Sequence, residues 1–225
     1  MKKISLARLL EESYLISVFN KDSCISHSTL VDLGGERNHY NKFLRSKFKH
    51  VLTYNLDSKN PDRVVDLTKN FYSQLIADKP DYIISLNTVE HLAEDLCLFE
   101  NCLKYAINYS VTVQIIVPFM HKIHAAPHDF RRYTFYGLEK IITDLSCKLA
   151  RGKYYTTFKI TPIGGSWYTL VSSLCHQKSI LLGIGVTFIL SIIEHFELMV
   201  KALLGKKPNI SYPLGYAVQI DSCLK

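Results

Sequence analysis

Short apolar runs alternate with longer amphipathic stretches over most of the chain. Thr29–Leu33, Val51–Leu56, Asp81–Leu86 and Val111–Val117 are near-continuous apolar runs rich in Val, Ile and Leu. Runs of that length and composition predict strands buried on both faces. Between them, His39–Phe48, Leu67–Ala77 and Glu90–Asn108 predict helices. The last repeats Leu92, Leu96, Phe99, Leu103 and Ala106 at helical spacing. Ile4–Phe19 carries a similar pattern and predicts an amphipathic first helix. Arg63–Asp66 is extended. After Val117 a polar loop leads to a predicted helix over Thr134–Leu149 and a strand over Tyr154–Thr161. A turn at Pro162–Gly165, a short helix over Ser166–His176 and a last strand over Tyr216–Ile220 follow.

Strands alternating with helices predict an α/β fold: a Rossmann-like, mostly parallel sheet flanked by helices. The expected organisation is an N-terminal helix and connector (1–27), a core (28–165), and a segment (166–225) that inserts an apolar helix before the last strand. Right-handed crossovers would bring all parallel strand ends to one edge. That edge would gather Asp32, Gly34, Asn55, Asp57, Asp66, Asn87, Glu90 and the loop over 117–138. In open α/β sheets this is where ligands bind.

The apolar run at 180–193 is fourteen residues long, short of the roughly twenty that a spanning helix needs. It predicts a core or dimer helix. The alternative is an interfacial helix continuing to Leu204, making peripheral membrane contact with help from Lys201, Lys206 and Lys207.

The net charge of +7 and pI near 9.0 suit an anionic partner of some kind. No basic run is interleaved with aromatics, which argues against nucleic acid. The six cysteines form no CxxC pair and no Cys/His cluster with zinc spacing, so no metal site is expected. Reduced thiols in a cytoplasmic protein are the expectation. The chain starts like a signal peptide, but Arg8, Glu11 and Glu12 interrupt the apolar stretch and favour an amphipathic helix.

The candidate chemistry sits at the predicted strand ends. Val31-Asp32-Leu33-Gly34-Gly35 ends a strand in glycines, which let backbone approach a ligand closely. Glu36, Arg37 and Asn38 stand where a dinucleotide fingerprint needs its later glycine, so a pyrophosphate clasp is disfavoured. Asn55 or Asp57, at the end of the second strand, is placed to meet ribose hydroxyls. Asp66-Leu67 is placed to meet a base amino group, or Asp66 caps the following helix. Glu90-His91 opens a helix after a strand. The 117–138 loop carries His121, His124, His128, Asp129, Arg131, Arg132 and Tyr133, more titratable groups than packing requires.

Together VDLGG, the polar second strand end, Asp66-Leu67 and Ser85-Leu-Asn-Thr-Val-Glu-His-Leu92 resemble class I S-adenosylmethionine-dependent methyltransferases. Pro118-Phe119, His124, Pro127, Asp129-Phe130, Arg132-Tyr133-Thr134 and Gly137-Leu138 resemble the corresponding segment of methyltransferase type 11-like proteins, many of them associated with bacterial surface glycan pathways. The likeness covers roughly residues 28–149. It implies S-adenosyl-L-methionine as cofactor, with Asp32, Gly34 and Gly35 near its methionine moiety. Asn55 or Asp57 would then hold the ribose, Asp66 and Leu67 would frame the adenine, and Asn87 to Glu90 would form the pocket floor. His124, Asp129, Arg132 and Tyr133 would face the acceptor or brace the loop.

The expected activity is O-methylation of a glycan, glycan precursor or other small-molecule acceptor. His124 is the candidate general base, because imidazole titrates near neutral pH. Asp129 would orient it or bind substrate. Arg132 would pair with Asp129 or hold an anionic group. Two other classes compete. One is a non-catalytic Rossmann-like binding protein with a degenerate cofactor site, which the sparse glycine motif favours. The other is a nucleotide-binding oxidoreductase, which the missing phosphate-binding glycines disfavour.

Overall fold

The computed structural model describes residues 6–20, 25–35, 39–56, 61–150, 154–165, 189, 192 and 212–224. Helix α1 (Leu6–Phe19) leads into strand β1 (Thr29–Leu33). Helix α2 (His39–Lys47), β2 (His50–Asn55), β3 (Arg63–Val64), α3 (Tyr72–Asp78) and β4 (Tyr82–Leu86) follow. The chain continues through a 3-10 turn (Val89–His91), α4 (Asp95–Tyr109), β5 (Thr112–Pro118), α5 (Phe135–Ala150), β6 (Tyr154–Ile163) and β7 (Gly215–Leu224).

One seven-stranded sheet has the order β3-β2-β1-β4-β5-β7-β6. Pairing is parallel from β3 through β5, and β7 runs antiparallel to both β5 and β6. Alternation within each strand sorts the core into two layers, because successive side chains point to opposite faces. Val31, Leu33, Ile83, Val113, Ile115 and Val117 face α3, α4 and α5, meeting Leu75, Phe99, Leu103 and Leu138. Leu30, Ile84, Ile116 and Ala217 face α1 and α2, meeting Leu15, Phe19 and Leu44. Leu15 and Phe19 are 0% and 3% exposed. Burying side chains of that size contributes roughly 1.5–3 kcal/mol each, so Leu15→Ala would loosen α1 from the sheet.

The fold is therefore the expected mostly parallel, helix-flanked sheet, with local differences that have physical causes. The helix expected from Leu67 begins at Tyr72 instead. Asp66 Oδ1 accepts bonds from the Thr68 amide and hydroxyl at 3.0 and 2.6 Å, and Asn70 Oδ1 accepts the Tyr72 amide at 3.1 Å. These local bonds hold residues 66–71 in turns and delay the helix. The helix expected from Glu90 is likewise split into the 3-10 turn and α4. Strand β6 runs through Pro162, which pairs with Tyr216. A proline is tolerated there because β6 is an edge strand.

The helix expected over 166–176 and nearly all of the apolar segment at 180–204 lie outside the described residues. No helix among the described residues is long and apolar enough to cross a membrane.

Candidate functional site

The carboxyl ends of β1, β2 and β4, helix α1 and the loop after β5 line a cleft of about 830 Å³. One wall is the end of β1. Asp32 is 4% exposed, and burial pushes its carboxyl up to about 7. Gly34 follows with φ +79°, and a Cβ there would overlap the Thr88 side chain; a Cβ on Gly35 would overlap the Asp32 carboxylate. Gly34 therefore needs glycine, a Cβ on Gly35 would displace the Asp32 side chain, and the bare backbone of both faces the cleft. The Gly34 amide donates to the Tyr54 carbonyl at 2.8 Å. Asn55 Nδ2 donates to the Gly34 and Gly35 carbonyls at 3.3 and 3.4 Å. Asn55 thus clamps the glycine turn to β2 as well as lining the cleft.

Asp66 and Leu67 line the cleft from the segment after β3. The bonds from Thr68 hold the Asp66 carboxyl below its ordinary value, and its second oxygen pairs with Lys69 at 3.2 Å. Asp66 thus acts as a turn former and a wall residue. Asp57, the alternative to Asn55, lies outside the described residues.

The floor is Asn87 and Thr88. Asn87 holds φ at 50°, a conformation Asn tolerates better than most residues. Its Nδ2 donates to Glu11 Oε1 at 2.9 Å. Glu11 is 8% exposed, accepts a second bond from the Tyr40 hydroxyl, and is shifted upward by burial. Arg8, Glu11 and Tyr40 all line the cleft, so α1 and α2 contribute to a site that the sequence placed at strand ends only. The available signal was Glu11 itself, four residues before Leu15 and hence on the helix's buried stripe.

The remaining wall is the loop after β5. Arg132 Nη1 and Nη2 donate to the two carboxylate oxygens of Asp129 at 2.5 and 2.8 Å. The pair holds the Asp129 carboxyl far below the usual range, with Arg132 as the main cause. Arg132 also donates to the carbonyls of Lys122 and Arg131. Asp129 Oδ2 accepts the His124 amide at 2.8 Å. Arg131 reaches across to the carbonyls of Leu92 and Ala93 at 2.6 and 2.8 Å. The Phe130 amide donates to the Glu90 carbonyl at 2.8 Å. The loop is thus bolted to the turn before α4, and His121, Lys122, His124 and Ala125 from it line the cleft.

Of the two places expected for Tyr133, facing the acceptor or bracing the loop, the structure shows the second. Tyr133 is 5% exposed, and its hydroxyl donates to Asp95 Oδ2 beneath the loop. Neither Tyr133, Arg132 nor Asp129 lines the cleft. Glu90 also lies beneath rather than at the floor. It is 0% exposed, and burial pushes its carboxyl up to about 8.

Glu90 Oε1 stands 3.6 Å from His91 Nε2 and 3.5 Å from His124 Nε2, and the two nitrogens are 3.1 Å apart. His124 is held below its ordinary value, chiefly by burial and then by the neighbouring His91. His91 was not singled out in the sequence as a partner of His124. The two are 33 residues apart, and only the fold-back of the loop onto the turn after β4 joins them.

No protein-family model and no curated protein matches the sequence. Solved structures do match. A SAM-dependent methyltransferase from Archaeoglobus fulgidus superposes with a TM-score of 0.53 and 14% identity, over 96% of this chain and 94% of that one. The chain carries the class I methyltransferase fold. The plantazolicin methyltransferase BpumL in complex with SAH gives a TM-score of 0.53 at 13% identity, covering 95% of this chain and 83% of its own. Phosphoethanolamine N-methyltransferase 2 of Haemonchus contortus gives 0.51 at 10% identity over 95% of this chain, which spans about half (52%) of that enzyme. On this methyltransferase fold the cleft occupies the carboxyl edge around β1, where the strand order reverses direction.

Proposed function

We propose that the protein is an S-adenosylmethionine-dependent methyltransferase acting on a hydroxyl of a glycan or glycan precursor. The observation that carries the reading is Asp32. A carboxylate 4% exposed stands at the end of β1 beside Gly34 and Gly35, with no cation against it among the described residues. A ligand ammonium would relieve that burial, whereas a phosphate would be repelled. A cleft of about 830 Å³ lies in the upper part of the range for small-molecule sites and suits a nucleoside cofactor together with an acceptor.

S-adenosylmethionine supplies a methyl group already activated on a sulfonium, so the protein's work is positioning and proton removal. Asp32 holds the ammonium, and the bare backbone of Gly34 and Gly35 admits the methionine moiety. Asn55, which lines the cleft, or Asp57 serves the ribose. Asp66 and Leu67 form the adenine wall, and Asn87 the floor. At the acceptor end, His124 Nδ1 faces the Lys122 carbonyl and Asp129 Oδ2, each at 3.4 Å, so its proton sits on Nδ1 and Nε2 offers a lone pair. That Nε2 is the candidate base for the acceptor proton. Asp129 orients His124, and Arg132 keeps Asp129 ionised. His121, Lys122 and Arg8 give the cleft a basic rim that suits an anionic acceptor such as a sugar-linked phosphate. A cytoplasmic location, with peripheral membrane contact through 180–204, belongs to the same proposal. It rests on an apolar run flanked by lysines.

Calorimetry with S-adenosylmethionine and S-adenosylhomocysteine is the first test, followed by methyl transfer to extracted glycans. Saturable binding of both, weakened in Asp32→Asn, is expected. Absence of any nucleoside ligand would reject the enzyme in favour of a non-catalytic binding protein on the same fold.

A further inference from the structure

Beneath the loop after β5, three acceptor atoms converge. The His128 carbonyl lies 2.5 Å from His91 Nδ1. A carbonyl only accepts, so His91 carries its proton on Nδ1 and presents a lone pair at Nε2. By the same argument, the Lys122 carbonyl and Asp129 carboxylate fix the proton of His124 on Nδ1. The two Nε2 lone pairs then face each other at 3.1 Å with nothing between them to donate. The third member is Glu90, 0% exposed, neither of whose carboxylate oxygens has a hydrogen-bond partner among the described residues. A buried carboxylate without a donor is costly. It is unexplained by packing, because Glu90 stands among two imidazoles rather than against an ion pair.

We propose that Glu90, His91 and His124 bind one divalent transition-metal ion of the zinc class through Oε1 and the two Nε2 atoms. The spacing fits. Around a tetrahedral ion with bonds of about 2.0–2.1 Å, ligand atoms stand about 3.3 Å apart. The separations here are 3.1, 3.5 and 3.6 Å, and one point lies about 2.0 Å from all three atoms. Two imidazoles and one carboxylate select Zn²⁺, Co²⁺ or Fe²⁺ over Mg²⁺, which prefers oxygen. Each ligating ring also donates its Nδ1 proton to an acceptor that fixes its orientation. Three protein ligands leave a coordination position, and both rings line the cleft. That is the pattern of a catalytic rather than a structural site.

Metal binding stands independently of the methyltransferase reading; the ion's role rests on it. The open position would hold and acidify the acceptor hydroxyl. The oxygen forms its bond to the methyl carbon as the carbon–sulfur bond breaks. That electron pair stays on sulfur, and the hydroxyl proton leaves to water. His124 then positions the ion instead of accepting the proton itself.

The test uses the full chain, stripped with a chelator and titrated with Co²⁺ by visible absorption and with Zn²⁺ by calorimetry. The expected result is one equivalent bound with a tetrahedral Co²⁺ spectrum. The affinity should fall at least about tenfold in His91→Ala, in His124→Ala and in Glu90→Gln. If Glu90→Gln does not fold, the two histidine variants, checked by circular dichroism, carry the test. Absent binding, or binding unchanged in the histidine variants, overturns the proposal and leaves a shared proton between the two Nε2 atoms. S-adenosylhomocysteine calorimetry on the stripped protein keeps the two failures apart. Its loss sinks the methyltransferase reading alone, and loss of the Co²⁺ signal sinks the metal site alone.

Discussion

Asn87 at the end of β4 donates its side-chain amide to Glu11, which lies 76 residues earlier on α1, at 2.9 Å. That bond joins the cleft floor to a helix outside the parallel core. Removing it in Glu11→Ala takes the shared acceptor from the Asn87 amide and the Tyr40 hydroxyl, and leaves the hydroxyl the Arg8 carbonyl at 3.5 Å. Losing a hydrogen bond to a charged group costs about 1.5–3 kcal/mol. We expect lower stability in urea unfolding and weaker S-adenosylhomocysteine binding, with Glu11→Gln recovering most of the stability. Equal affinity in wild type and Glu11→Ala would remove Glu11 from the site.

Asp32 sets a pH dependence. Its carboxyl is raised to about 7 by burial, so the unfolded chain releases this proton at lower pH than the folded one. The Asp32 contribution to stability is fully present below about pH 4 and is lost as pH rises to about 7. The expected loss is on the order of a few kcal/mol. Asp32→Asn should flatten this slope, as read from unfolding midpoints at several pH values. Binding of an ammonium ligand near pH 6 should also release a proton in wild type. Heats that do not change with buffer ionisation enthalpy would contradict that.

Gly35→Ala places a Cβ into the Asp32 carboxylate, which must swing toward the cleft. Cofactor affinity should drop by an order of magnitude or more, while Gly137→Ala, whose nearest new contact is Thr134 Oγ1 at 3.1 Å, should bind normally. Calorimetry on the pair separates a cradle effect from a general glycine effect.

Much of this cleft could be read before the fold. Asp32, Gly34, Asn55, Asp66 and Asn87 were placed at strand ends because parallel strands show as continuous apolar runs, and the topology then brings those ends together. What was lost needed three dimensions. Leu67 looked like the first apolar position of a helix, yet the Asp66 and Asn70 side chains claim the backbone amides there. For Tyr133 the sequence leaves facing the acceptor and bracing the loop equally open. A tyrosine hydroxyl is equally suited to a buried acceptor, and Asp95 provides one. The convergence of His91 with His124 depends on a loop folding back, which no periodicity encodes.

The loop gives the last prediction. The Asp129 side chain is 2% exposed and held by two Arg132 nitrogens. Arg132→Ala strands that carboxylate, a loss of about 3–5 kcal/mol when a buried pair is broken from one side. Arg132→Lys should rescue little, because an ammonium cannot match the fork. Limited proteolysis between Phe119 and Phe130 should accelerate in both variants. Tyr133→Phe should instead cost about 1 kcal/mol and leave the acceptor KM unchanged. A raised KM would return Tyr133 to the acceptor site.

Arg8 and Glu11 sit on a helix that precedes the first strand, yet both line the cleft. A cleft walled in this way is complete only while that helix is docked, so ligand occupancy and docking share one equilibrium. A bound nucleoside would tighten the helix by mass action. The amides of Leu10 to Phe19 would then exchange hydrogen more slowly with ligand than without, making the chain's opening segment a built-in reporter of whether the cleft is filled.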